Sequence, residues 1–163
     1  MPGAGATLAR MSICYIDGPV GRLALEGEGD TLTGVRWTSS DERARGKAAP
    51  VLSEAARQLE RYFKGKLKRF ELEIAPHGTD YQKRVWATMR KIPFGKVATY
   101  GGIAMAVESG PRAVGNACGA NPMVIITPCH RVLASGGAIG GYGGVQGLAI
   151  KRKLLALEGV IVS

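Results

Sequence analysis

The sequence predicts an α+β protein of two domains: an antiparallel sheet with a covering helix, followed by a mainly helical domain. Three observations predict it. Alternating patterning punctuated by Gly and Asp is confined to the first third of the 163 residues, helical periodicity dominates the second half, and A-P-H-G at 75–78 breaks the chain between them. The domains this implies are 1–75 and 76–163.

The elements follow in order. M-S-I-C-Y-I-D (11–17), V-G-R-L-A-L-E (20–26) and T-L-T-G-V-R-W (31–37) read as a meander, with Gly18-Pro19 as the first turn. The polar stretch 38–47 reads as an exposed connection. Across 51–64, Val51, Leu52, Ala55, Leu59, Tyr62 and Phe63 share one side of a helix, and Gly65 stands where a left-handed residue ends it. Thr79 with Gln82 three residues on forms a capping box, opening a helix whose stripe is Val85, Trp86 and Met89. Pro93-Phe94-Gly95 ends that helix. Two short helices, 99–107 and 112–119, flank Glu108-Ser109-Gly110-Pro111 in the outline of a helix-turn-helix. V-I-I-T-P-C-H-R-V (124–132) reads as a buried strand broken at Pro128, which delivers Cys129 on an extended approach with its thiol presented rather than packed. A Gly-rich loop, 136–147, leads to a last helix at 148–158.

Composition narrows the partners. Twenty-two Lys and Arg against thirteen Asp and Glu leave a net charge of +9, which suits a polyanionic partner, nucleic acid first, and equally a merely solvated basic surface. A membrane surface fits poorly, because the basic residues are spread along the chain rather than gathered on one amphipathic helix. Cys14, Cys118 and Cys129 are too sparse for a disulfide framework, so a reducing compartment is expected. With His77 and His130 the only histidines and no C-x-x-C pair, no metal is expected. The opening M-P-G-A-G-A-T-L-A-R lacks a signal-peptide core, and no run approaches ~20 apolar residues, so the cytoplasm is the expected location.

Cys129 and His130 taken alone support two readings. A thiol needs a base or cation to become a nucleophile, and His130 could serve by folding back or through a water. Equally, Cys129 could be a small core residue and His130 a hydrogen-bonded bystander.

The surrounding motifs add to this. T-Y-G-G-I-A (99–104), R-A-V-G (112–115), A-N-P (120–122), I-I-T-P-C-H-R-V (125–132), G-A-I-G-G-Y (137–142) and K-R-K-L-L-A-L-E-G (151–159) occur in one order, together with G-T-D-Y-Q-K-R-V-W, I-P-F-G-K-V and, early in the chain, D-G-P-V-G-R-L-A-L. The set closely resembles the O6-alkylguanine-DNA alkyltransferases, the methylated-DNA–protein-cysteine methyltransferases, over nearly the whole chain. The resemblance implies an RNase H-like first domain and a second domain that binds double-stranded DNA in the minor groove with little sequence preference. It implies direct repair, in which a flipped-out guanine gives its O6-alkyl group irreversibly to Cys129, one transfer per chain. His130 would be the water-mediated base, Glu158 the carboxylate that orients and charges the imidazole, Asn121 the brace of the turn, and Tyr100 the proton donor to guanine N3. Val132, Tyr142, Gly143 and Gly144 would line the base. Thr99, Arg112, Ala113, Gly115 and Asn116 would meet DNA, with Arg112 filling the place of the flipped nucleotide. The resemblance implies a monomer without cofactor.

The turn before Pro111-Arg112 is a residue or so shorter than the family pattern, the segment from Tyr142 to Lys151 is slightly longer, and Cys118 stands where an apolar residue is usual. Two rivals are a non-catalytic damage sensor or regulator, which would lack the cysteine or need a further DNA-binding domain, and a cysteine hydrolase that releases its acyl group to water.

Overall fold

A computed structural model of the chain describes residues 11–46, 49–140 and 144–162. The strand-forming segments pair as β1 (Met11–Gly18), β2 (Gly21–Glu28) and β3 (Thr31–Thr38), an antiparallel sheet in the order β1-β2-β3. Tight turns at Pro19-Val20 and at Gly29-Asp30 set the register, Ile16 opposite Leu23 and Leu25 opposite Val35, with an irregularity between Glu26 and Gly27. The central strand buries Leu23, Ala24 and Leu25 in succession.

Both edges of the sheet are blunted by single bridges the sequence did not signal. Ile13 exchanges backbone hydrogen bonds with Arg45, so the polar connection folds back along β1, and Leu32 does the same with Glu73 and Ala75 beside β3. Helix α1 (Pro50–Phe63) lays Val51, Leu52, Ala55, Leu59 and Tyr62 on the sheet. It ends as expected: Gly65 has φ +72°, its amide donates to Tyr62 and that of Lys66 to Arg61.

The chain divides into two compact units, one running to His77 and one from Gly78. In the second, α2 (Asp80–Met89) begins with the expected capping box: Gln82 N–H donates to Thr79 Oγ1 at 3.1 Å and Thr79 N–H to Gln82 Oε1 at 2.9 Å. Helices α3 (Tyr100–Ala106) and α4 (Pro111–Gly119) pack on α2 and on each other, and the Trp86 indole donates to the Ala117 carbonyl at 2.8 Å. Between α3 and α4, Ser109 N–H donates to Ala104 and Glu108 N–H to Met105, the pattern that closes a helix through a left-handed residue. Here that residue is Glu108, at φ +55°.

The last helix, α5 (Gly144–Leu157), begins four residues before the expected 148, and Glu158 lies one residue past its end. Among the described residues no helix is long and apolar enough to cross a membrane.

Candidate active site

The approach to Cys129 corrects the sequence reading. No strand spans 124–127; instead Val124 and Thr127 form an isolated bridge, Thr127 N–H donates to Met123, and Ile125 sits at φ +71°. A β-branched residue in the left-handed region is strained, and the buried Ile125 side chain is what holds it there. Cys129 N–H then donates to the Thr127 carbonyl and the chain enters a single 3-10 turn, Cys129–Arg131. That turn carries the thiol inward. Cys129 is 5% exposed and packs among Val85, Trp86, Met89, Val114 and Val132, so it is packed rather than presented. The extended relation between Cys129 and His130 is lost for the same reason.

Asn121 spans the base of this turn. Its Nδ2 donates to the Thr127 carbonyl at 2.8 Å and to Cys129 Sγ at 3.2 Å, while Oδ1 accepts from Met123 N–H at 2.9 Å. After the 3-10 turn, β5 (Val132–Leu133) pairs in parallel with β4 (Ala98–Thr99), Ala98 opposite Val132 and Thr99 opposite Leu133. This two-residue ladder brings Tyr100, the next residue, to the cysteine's side of the unit, where it packs on the same core cluster. Burial, and after it the proximity of Cys118 and Cys129, push the Tyr100 phenol up to about 12, which keeps it protonated at neutral pH.

His130 is fully buried, its Nε2 2.7 Å from Glu158 Oε2. Burial lowers its pKa against the opposing pull of Glu158, so the imidazole is held toward its neutral form. Its Nδ1 is buried without a hydrogen-bond partner among the described residues. Glu158 is clasped by Arg131, whose Nε and Nη2 donate at 2.8 and 3.0 Å, and by the Gly95 amide at 3.0 Å. Gly95 has φ +79°, and an added Cβ there would press to 3.3 Å from the Glu158 carbonyl, so the turn requires glycine.

Two of these groups were not among the sequence candidates. Arg131 is buried and donates from Nη1 to the Ile92 carbonyl at 2.7 Å. Lys151 is also buried; its Nζ donates to the Val132 carbonyl at 2.7 Å and lies 5.8 Å from the centre of the Tyr100 ring. Burial lowers the Lys151 pKa, opposed by Cys129 and Cys118. The only advance signal was placement: Arg131 abuts His130, and Lys151 falls on the side of α5 that carries Leu154 and Leu155. Cys118 meets Met89 sulfur at 3.4 Å, and its thiol is pushed up to about 12 by burial and by Cys129.

The remaining candidates lie on or beside α3 and α4. Thr99 caps α3, accepting from Gly102 N–H at 3.0 Å. On α4, Arg112 and Asn116 are exposed, Ala113 and Gly115 half-buried, and Val114 and Ala117 face the core; the shortened turn leaves Pro111 as the first helical residue. Gly144 opens α5, whereas Tyr142 and Gly143 lie outside the described residues. Among the described residues no group of three or more His, Cys, Asp or Glu could hold a metal ion.

A buried cysteine beside an imidazole backed by an ion-paired carboxylate, in a unit with two short helices across a tight turn, defines a cysteine-dependent protein built around a helix-turn-helix. Comparison with known proteins makes this specific. The model of the 6-O-methylguanine DNA methyltransferase DNA binding domain matches residues 80–160, and that of its ribonuclease-like domain matches residues 11–76. The chain belongs to this family. It is 40% identical to the methylated-DNA–protein-cysteine methyltransferase of Methanosarcina acetivorans over 91% of this chain and 99% of that one, and 44% identical to the one from Mycobacterium tuberculosis over 88% and 89%. Crystal structures of the M. tuberculosis O6-methylguanine methyltransferase align with a TM-score of 0.80 at 40% identity, covering 91% and 92% of the two chains. The same protein in complex with DNA aligns equally well, at 42% identity over 90% and 91%.

Proposed function

We infer that this protein is a methylated-DNA–protein-cysteine methyltransferase that repairs DNA by moving an alkyl group from guanine O6 to Cys129. The observation that carries the reading is Cys129 itself, a thiol held by Asn121 next to a buried His130–Glu158 pair in a chain of this family. The protein binds double-stranded DNA through the exposed side of α4, an approach that small side chains suit in a minor groove only ~6 Å wide. Because such contacts reach backbone and groove shape, sequence preference is weak. The damaged guanine is flipped out of the stack, with Arg112 in its place.

In the reaction His130 takes the thiol proton through one water at Nδ1, the atom without a hydrogen-bond partner among the described residues. Cys129 sulfur attacks the alkyl carbon, the S–C bond forms as the C–O6 bond breaks, and the electron pair passes into the purine. Tyr100 protonates guanine N3 and is then reprotonated, so the net transfer is alkyl to sulfur and the thiol proton to guanine. Val132 and Gly144 line the base. The thioether is not hydrolysed, so each chain reacts once, as a monomer and without cofactor.

The test is Cys129→Ser, which keeps the shape but offers a far weaker nucleophile. Alkyl transfer should vanish while DNA affinity stays near wild type; a mutant that still accepts alkyl groups removes Cys129 from the mechanism.

A further inference from the structure

Which nitrogen of His130 carries a proton is decided by the donors around Glu158. Oε1 accepts from Arg131 Nε at 2.8 Å and from Gly95 N–H at 3.0 Å; Oε2 accepts from Arg131 Nη2 at 3.0 Å and faces His130 Nε2 at 2.7 Å. An ionised carboxylate has about four acceptor sites and no donor, and a guanidinium does not give up its proton. Three of these contacts are therefore fixed donors. The fourth is attractive only if Nε2 bears hydrogen, since a bare imidazole nitrogen facing a carboxylate oxygen sets acceptor against acceptor.

The alternative is a protonated Glu158 donating to Nε2. It would leave the Arg131 guanidinium, 7% exposed, buried without its counter-charge, which is strongly unfavourable. With hydrogen on Nε2 and a neutral ring, the lone pair sits on Nδ1. That is the buried nitrogen without a partner among the described residues.

We propose that Arg131 is a positioning residue for the transfer: its fork keeps Glu158 ionised and turned toward His130, locking the imidazole with hydrogen on Nε2 and the proton-accepting lone pair on Nδ1. The fork is itself aimed by the turn after α2, where the Ile92 carbonyl holds Nη1 at 2.7 Å and the Phe94 ring lies 6.0 Å from the guanidinium carbon. One turn, Ile92 to Gly95, thus sets both the cation and the backbone amide that donates to Oε1. When Cys129 ionises, its proton goes to Nδ1, and the resulting imidazolium keeps its Nε2–H on Glu158.

This rests on the alkyl-transfer reading for its consequence, but its structural content can be measured without any transfer. Nitrogen-15 spectra of the full chain, with His77→Gln to assign the two histidines, should show His130 at neutral pH with a protonated, pyrrole-type Nε2 and a pyridine-type Nδ1. A pyrrole-type Nδ1 overturns the proposal, while the Cys129→Ser result would stand unaffected. In Arg131→Gln the single tautomer should be lost and transfer should slow by ~10²-fold, the usual worth of a general base, with an altered pH profile. Arg131→Lys, which keeps the charge without the fork, should recover part of the rate. A Lys variant no faster than the Gln variant, or a Gln variant with wild-type tautomer and pH profile, overturns the role given to the charge. If Arg131→Gln does not fold, the wild-type spectrum still decides the tautomer.

Discussion

Replacing Glu158 by Gln removes one charge and almost no volume, yet the site should tolerate it badly. Among its contacts the carboxylate faces four nitrogens from three residues, Arg131, Gly95 and His130, and an amide has one acceptor oxygen and one donor group in its place. Whichever way the amide is turned, its NH2 confronts at least one fixed N–H donor: Arg131 Nε and the Gly95 amide on one side, Arg131 Nη2 on the other. The larger effect is on Arg131, whose cation stays buried after its counter-charge is gone; breaking one side of such a pair costs about 3–5 kcal/mol. At about 2–4 °C per kcal/mol for a chain of this size, the melting temperature should fall by roughly 6–20 °C. Thermal unfolding followed by circular dichroism measures this directly. The sharper check is the cycle with Arg131→Gln: the double mutant should lose well under the sum of the single losses, because no orphaned charge remains. A Glu158→Gln variant within about 1 kcal/mol of wild type, or strict additivity in the cycle, would refute the reasoning.

Three further outcomes are expected. Glu108→Gly should stabilise the protein by about 0.5–1 kcal/mol in urea unfolding, since Glu108 occupies a left-handed position that glycine adopts without steric cost; a loss of stability contradicts the assigned cap. His130 is held neutral by burial, with its pKa below the ordinary value of ~6.5. As pH falls through that value the unfolded chain takes up a proton that the folded chain resists, so its contribution is present above ~6.5 and is lost below. The stability difference between wild type and His130→Gln should therefore shrink from about pH 7 to 5, and a flat difference counts against it. Arg112→Ala should slow repair of duplex DNA far more than reaction with free O6-benzylguanine, with Arg112→Lys restoring only part of the rate, because an ammonium does not stack like a guanidinium. Full duplex repair by the Ala variant removes Arg112 from base flipping.

What could be read in advance was what local interactions determine. Thr79 with Gln82, Gly65 after Phe63, and the alternation of β1 to β3 each act within a few residues, and each fixes an element boundary. The two short helices were legible for the same reason. The turn before Cys129 was not, because nothing in V-I-I-T marks Ile125 for the left-handed region; tertiary burial imposes it. Pro128 points to an extended approach with the Cys129 thiol presented, and the Thr127 carbonyl contact undoes it. Nothing local marks Arg131 and Lys151 for the interior, since long cations ordinarily lie at the surface. Their partners are distant in sequence: Arg131 reaches Ile92 across 39 positions, and Lys151 reaches Val132 across 19. Motif likeness pairs His130 with Glu158, but the donors that arrange them belong to the fold.

Repair by this protein turns on one sulfur accepting one alkyl group. The most direct measurement is intact mass spectrometry of the protein after incubation with excess duplex DNA containing O6-methylguanine, followed by peptide mapping. One added methyl per chain, on the peptide carrying Cys129 and with no further turnover, is the expected result. Methyl on another residue, no methyl at all, or repeated turnover without a retained methyl would contradict it.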